Sequence, residues 1–171
     1  MEPLTTAGLT LAGEWGTPKI TATTLPIDLT PLTPRTISTL VIPATAGDIL
    51  SIDARARVTN DTGRTRGEPG YTVGIGYHLW TYDVDNGQGS AGEWTRISTY
   101  NGDNVSRDRH HMPLHTCTMW RLPANWPAGH RVAVIFRADA HSTAWRRGDT
   151  ITVDKDYGYL RCRRWTTPEE D

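Results

Sequence analysis

Hydrophobic positions in this chain come in short runs rich in β-branched and aromatic residues, each closed off by Pro, Gly, Asn or Asp. With no sustained 3.6-residue period, that texture predicts strands, not helices. The runs place strands over 19–24, 36–42, 49–59, 71–82, 94–100, 115–122, 130–139, 149–154 and 158–165. Several alternate with period 2. In ILSIDARARV, Leu50, Ile52, Ala54, Ala56 and Val58 share one face, and Ser51, Asp53, Arg55 and Arg57 share the other. In YTVGIGYHLW, Val73, Ile75, Tyr77 and Leu79 alternate with Thr72, Gly74, Gly76 and His78. In HRVAVIFRADA, Val132, Val134, Phe136 and Ala138 form the expected core face. A one-residue slip would turn each set into water, so every register is strongly specified.

Turn chemistry falls between the runs. Asp85-Asn86-Gly87 tolerates positive φ after Tyr82, Ala46-Gly47-Asp48 follows Pro43, and Pro123, Asn125, Pro127 and Gly129 separate 115–122 from 130–139. Eight or nine short strands spaced by turns imply an all-β chain: a single antiparallel β-sandwich over 18–165, expected as a jelly roll. Residues 1–17 carry no sustained period and read as an extended N-terminal arm, and 166–171 as an acidic C-terminal tail. An arm of this kind either lies on a neighbouring subunit or folds back on its own domain.

Composition narrows the class. A chain of 171 residues and 19.0 kDa supports one well-cored domain. No apolar run exceeds the five residues Val132–Phe136, far short of the roughly 20 of a membrane helix. No charged-then-apolar leader opens the sequence, which argues against export. A net charge of −1 gives no bulk attraction to nucleic acid or anionic lipid, so neither is expected as a partner. Lys19 and Lys155 are the only lysines beside 16 arginines, a bias that points to a GC-rich genome.

Motifs for chemistry fail on inspection. Counted from Asp83 as a calcium loop, position 5 is Gly87 and position 12 is Trp94, so a hairpin turn is the better reading. Gln88 stands where a nucleophile elbow at Ser90 needs glycine. His110, His111 and His115 cluster around Pro113, and Cys117 shares a strand face with His115. No carboxylate stands at a compelling ligand spacing, so ordinary hydrogen-bonding histidines are expected. Cys117 and Cys162 lie on separated strands and, without an export signal, are expected as buried free thiols. No catalytic residue, cofactor or metal is therefore assigned.

Two surplus residue types remain. Arg161 and Arg163 flank Cys162, where outward arginines pair with carboxylates of a neighbouring strand or subunit. Of seven tryptophans, Trp15 lies in the arm, and Trp80, Trp120 and Trp165 are expected on faces opposite the main apolar set. Tryptophan beside arginine is what interfaces use as anchors, which makes Trp15, Trp80, Trp120, Trp165, Arg161 and Arg163 the candidate interface. Sugar grooves use tryptophan platforms too. Gly74 and Gly76 alternate on one strand face, where another backbone or a large ring can approach closely.

The stretch NVSRDRHHMPLHTCTMWRLPANWPAGHRVAVIFRADA, followed by a strand pair ending in RRW, resembles small β-sandwich virion proteins of actinobacteriophages. PANWPAGHRV is its most telling phrase, and the resemblance covers roughly residues 70 to 165. It implies a head-decoration or minor capsid protein that forms trimers, carries no catalytic residues and binds the major capsid protein or other virion proteins. Localisation would then be the virion, assembled in the host cytoplasm. The arm would lie along the shell with Trp15 as its anchor, so deleting 2–17 would abolish binding and leave the sandwich folded. The alternative is a tail-associated receptor- or carbohydrate-binding module, which predicts tryptophan rings coplanar on one concave face.

Overall fold

The computed structural model describes residues 8–17, 27–30, 33–60, 72–86, 94–106, 111–141 and 150–166. Among these lie eleven strands and no helix: β1 (Thr10–Gly16), β2 (Ile27–Leu29), β3 (Arg35–Pro43), β4 (Ile49–Asn60), β5 (Thr72–Asp83), β6 (Thr95–Arg96), β7 (Asn101–Ser106), β8 (Met112–Arg121), β9 (Arg131–Ala140), β10 (Ile151–Val153) and β11 (Tyr159–Thr166). All pairings between them are antiparallel, and they build two sheets packed as a β-sandwich. In the first sheet β1, β11, β4 and β8 lie side by side, while β2 and β10 extend the same rows past the end of β11. In the second, β3, β9 and β5 lie side by side, and β6 and β7 share the remaining edge of β5.

Three rows are interrupted strands. Residues 151–153 pair with 60–58 of β4 and 159–165 pair with 55–49, so β10 and β11 run as one row broken at 154–158. Likewise β1 runs along β11 and β2 along β10 in one direction. With the pieces merged, each sheet is four rows wide. In chain order the first sheet reads first, eighth, third, sixth, and the second reads second, seventh, fourth, fifth.

The core sits where the alternation put it. Leu50, Ile52, Ala54, Ala56 and Val58 face Val73, Ile75 and Leu79 and the set Val132, Val134, Phe136 and Ala138, all buried in one cluster. Polar ties cross the gap at its rim. Asn60 Nδ2 donates to the Val105 carbonyl at 3.0 Å and Asn101 Nδ2 to Thr116 Oγ1 at 3.0 Å. Arg164 Nη1 donates to the Pro43 carbonyl at 2.9 Å, fastening β11 to the end of β3.

Seven expected strands appear with bounds shifted by up to three residues. Of the run 94–100 only the two residues of β6 are strand, and the run 19–24 lies outside the described residues. β7, with sequence NGDNVS, escapes the hydrophobic pattern because only Val105 of it is buried. β1 escapes it for a different reason. Residues 10–16, expected in the arm, are extended but hydrogen-bonded along β11 of their own domain, and Trp15 packs against the core.

Candidate functional site

Side chains pointing out of the first sheet form an open polar face. β11 contributes Tyr159, Arg161, Arg163 and Trp165, in register with Arg55, Asp53, Ser51 and Ile49 of β4. Beyond β4 stand Pro113, His115, Cys117, Met119 and Arg121 of β8, and β1 adds Leu11 and Glu14 on the other side. Arg163 Nε lies 3.2 Å from Glu14 Oε2, an exposed ion pair between register partners. The Arg161 guanidinium stacks 4.5 Å from the Tyr159 ring centroid. Asp53 accepts from the Tyr159 hydroxyl at 2.9 Å and pairs with His115 Nε2 at 2.8 Å. The three candidates Arg161, Arg163 and Trp165 are thus neighbours on one face.

A cleft of about 410 Å³ opens on this face where the β10–β11 row is broken, lined by Arg55, Ala56, Arg57, Pro113 and Asp156–Tyr159. The break is built, not loose. Asp154 accepts from Arg57 Nε at 2.5 Å and from Thr59 Oγ1 at 2.8 Å, its Oδ2 lies 3.2 Å from His111 Nδ1, and its own amide donates to the Arg57 carbonyl. Asp156 takes φ of 66°, the left-handed turn conformation that aspartate tolerates better than most residues. The turn holds Tyr157 against the Arg57 guanidinium, 3.1 Å from the ring centroid. Arg55, two residues before Arg57 and in register with Tyr159, makes no side-chain hydrogen bond or ion pair among the described residues. Arg55, Tyr157 and Tyr159 were not singled out from the sequence. The signal was there in DKDYGY, two tyrosines about a glycine between two short strands.

The outer face of the second sheet carries Trp80 and is largely covered along β5 and β9, while Val41 of β3, in register with Ala133, stays exposed. Gly76, His78, Trp80 and Tyr82 of β5 stand in register with Asp139, Arg137, Ile135 and Ala133 of β9. Ile135 is 2% and Ala133 0% exposed, although both point away from the sandwich core. His78 stacks on Tyr100 at 5.3 Å and meets Trp80 edge-on at 5.6 Å, and Tyr82 stacks on Trp94 at 5.5 Å. The Tyr100 hydroxyl donates to Asp139 Oδ1 at 2.7 Å. Gly76 is required beneath this bond, since a Cβ there would overlap both partners, and one at Gly74 would overlap the His141 carbonyl. The expected close approach over the glycine stripe is therefore made by Tyr100 and by backbone. Burial, a carboxylate partner and its charge raise the Tyr100 phenol above its ordinary range. Burial also holds the His78 imidazole down at about 4, from 6.5, with Asp139 acting against the shift and Arg137 and Arg96 reinforcing it.

The six candidate interface residues therefore do not form one surface. Trp120 is a correction: it pairs with Leu50 of β4, so it turns inward and packs against the core. The alternation of β8 runs Leu114, Thr116, Thr118, Trp120 on the core side, a face whose two threonines disguised it. Trp15 is likewise on the core side, opposite Cys162, with its ring over Gly13 and 5.8 Å from the Arg164 guanidinium. Cys117 is exposed where a buried thiol was expected, while Cys162 is buried, its thiol pushed up to about 12. Among the described residues no three His, Cys, Asp or Glu side chains converge as metal ligands. The Gly87–Gly92 motif, His110 and the tail 167–171 lie outside the described residues.

No protein-family model matches this chain, and no curated protein does. Among solved structures it is similar to a chain of infectious bursal disease virus, Gx strain, at TM-score 0.43 and 13% identity, over 91% of this chain and 32% of that one. A chain of the Gt strain of the same virus gives TM-score 0.41 and 9% identity, over 93% of this chain and 37% of that one. The chain spans about a third of the length of these solved chains.

Proposed function

We propose that this chain is a structural protein of a bacteriophage particle, a head-decoration or minor capsid subunit that binds the major capsid protein or other virion proteins without catalysis. We read the merged strand order as that of a jelly roll, a reading that fits the resemblance of residues 70–165 to actinobacteriophage virion proteins. The observation that carries the reading is the open outer face of the first sheet. Arg161, Arg163 and Trp165 stand there in one row, with exposed Leu11 next to it on β1 and exposed Met119 across β4 on β8, arginine and aromatic side chains of the kind interface centres use. A homotrimer would bury this face against the shell, leaving the second sheet outside.

Gold-labelled antibody against the chain, applied to particles of the encoding phage, is expected to mark the heads. Charge reversal of the row, Arg161→Glu with Arg163→Glu, is expected to lower co-sedimentation with heads at least about tenfold, since like charges across an interface cost several kcal/mol. Unlabelled particles, or wild-type co-sedimentation by the reversed chain, would overturn the reading. For the second reading, a tail-associated receptor- or carbohydrate-binding module, the described tryptophans offer no single platform. Trp80 and Trp94 lie outside one sheet, Trp165 lies outside the other, and Trp15, Trp120 and Trp126 pack against the core. What favours it is the tyrosine-walled cleft.

A further inference from the structure

The geometry points to the cleft beside the β10–β11 break as a binding site for an acidic sugar, a pyranose bearing a carboxylate. Its volume of about 410 Å³ falls in the range of small-ligand sites, about 300–1,000 Å³. Three chemistries meet in it. Among the described residues the Arg55 guanidinium has no carboxylate partner, although its charge acts on the neighbouring Tyr159 phenol, and its planar fork matches a carboxylate two bonds at a time. Asp156, also lining the cleft, is an acceptor for ring hydroxyls. Pro113, Tyr157 and Tyr159 supply apolar walls for the C–H faces of the ring.

The surrounding bonds explain why these groups are free to do this. Asp154 engages Arg57, so Arg57 clamps Tyr157 in place while Arg55 stays unneutralised. Asp53 accepts from the Tyr159 hydroxyl, which fixes that ring in the cleft wall. A neutral sugar would leave Arg55 unanswered. A bare inorganic anion would leave the walls and Asp156 unused, and Asp156 would repel it. The carboxylate and the hydroxylated ring must come together, as they do in uronic and sialic acid residues of cell-surface glycans.

This deepens the second functional reading by naming its ligand, and it is tested on the isolated chain. Glucuronate, N-acetylneuraminate, glucose and sulfate are titrated separately into ¹⁵N-labelled protein. At least one of the two acidic sugars is expected to shift the amides of Tyr157, Gly158 and Tyr159, with glucose and sulfate silent at equal concentration. Arg55→Ala is expected to weaken binding at least about tenfold, and Tyr157→Ala to weaken it as well. Arg163→Ala, outside the cleft, is expected to bind as wild type. No shift with either acidic sugar, equal shifts with sulfate, or undiminished binding by a folded Arg55→Ala chain would overturn the proposal. So would a glutamate-rich peptide that shifts the same amides and displaces the sugar at lower concentration. Gold confined to heads together with sugar-dependent shifts would remove the tail location and leave the ligand standing.

Discussion

His78 is 3% exposed, lies between Tyr100 and Trp80, and has no hydrogen bond at either ring nitrogen. Buried polar groups left this way cost about 1–3 kcal/mol each. Trp80 Nε1, Trp94 Nε1 and Arg137 Nε add further unbonded buried donors to the same side of the second sheet. The charged form is penalised further, which is why its protonation falls from 6.5 to about 4 in the folded chain. The unfolded chain therefore binds this proton first, and its stabilisation is lost to the folded state as pH drops from 6.5 toward 4. The full loss is about 3 kcal/mol at most. His78→Phe keeps an aromatic ring on Tyr100 and removes the titration. It is expected to unfold at higher temperature than wild type at pH 4.5, with the gap narrowing above pH 7. Melting curves across that range check this, and a pH-independent difference would show that His78 is not the titrating group. Nothing in the alternation of β5 announced this, because His78 occupies an outward position and its burial depends on rings brought there by other segments.

β1 shows how a whole element can be invisible to pattern and still be part of the fold. Its sequence TLAGEWG has one large apolar residue turned to the core, so no period emerges. What places it is the unpaired edge of β11, filled by backbone hydrogen bonds that depend little on side-chain type. The longer runs are different: β4, β5 and β9 each turn one alternating apolar face to the core, and there the hydrophobic period gives element and face. Within β1 the Glu14–Arg163 pair is exposed and contributes about 0–1 kcal/mol. Trp15 contributes more. Half-buried against the core, it is expected to cost about 2 kcal/mol on truncation to alanine, below the 3–5 of a fully buried Trp. Its indole lies where a Cβ on Gly13 would be. Gly13→Ala should therefore destabilise wild type but hardly affect the Trp15→Ala chain, and a double-mutant cycle by denaturant titration reads that coupling. Additive effects would mean the ring does not rest on Gly13. Deleting residues 2–17 removes this element with the arm, so it is expected to lower stability as well as any binding.

At the scale of the molecule, the two sheets give each strand residue one of three destinations: the core, the outer face of the first sheet, or the outer face of the second. The strand runs were legible, but the assignment of candidate residues to destinations required pairing, which no local pattern contains. The cleft is the clearest case, because it exists only where β10 and β11 share β4 and leave residues 154–158 outside the row. The two cysteines test the same geometry. Cys117 on β8 is in register with Asp53 and points outward, and Cys162 on β11 is in register with Ile52 and points into the core. β4 lies between them, which puts two inter-strand steps of about 4.8 Å between their backbones. That exceeds the separation a disulfide tolerates, and the sulfurs lie on opposite faces of the sheet. Burial at 0% exposure and a thiol pushed up to about 12 make Cys162 unreactive while the sandwich is closed. A thiol reagent in excess at pH 8 is thus expected to modify one cysteine quickly and the second only as the chain opens, and denaturant should bring the second rate up to the first. Oxidation should yield at most a dimer crosslinked through Cys117. Rapid modification of both thiols in the native protein, or an intrachain disulfide, would mean that β4 does not separate β8 from β11.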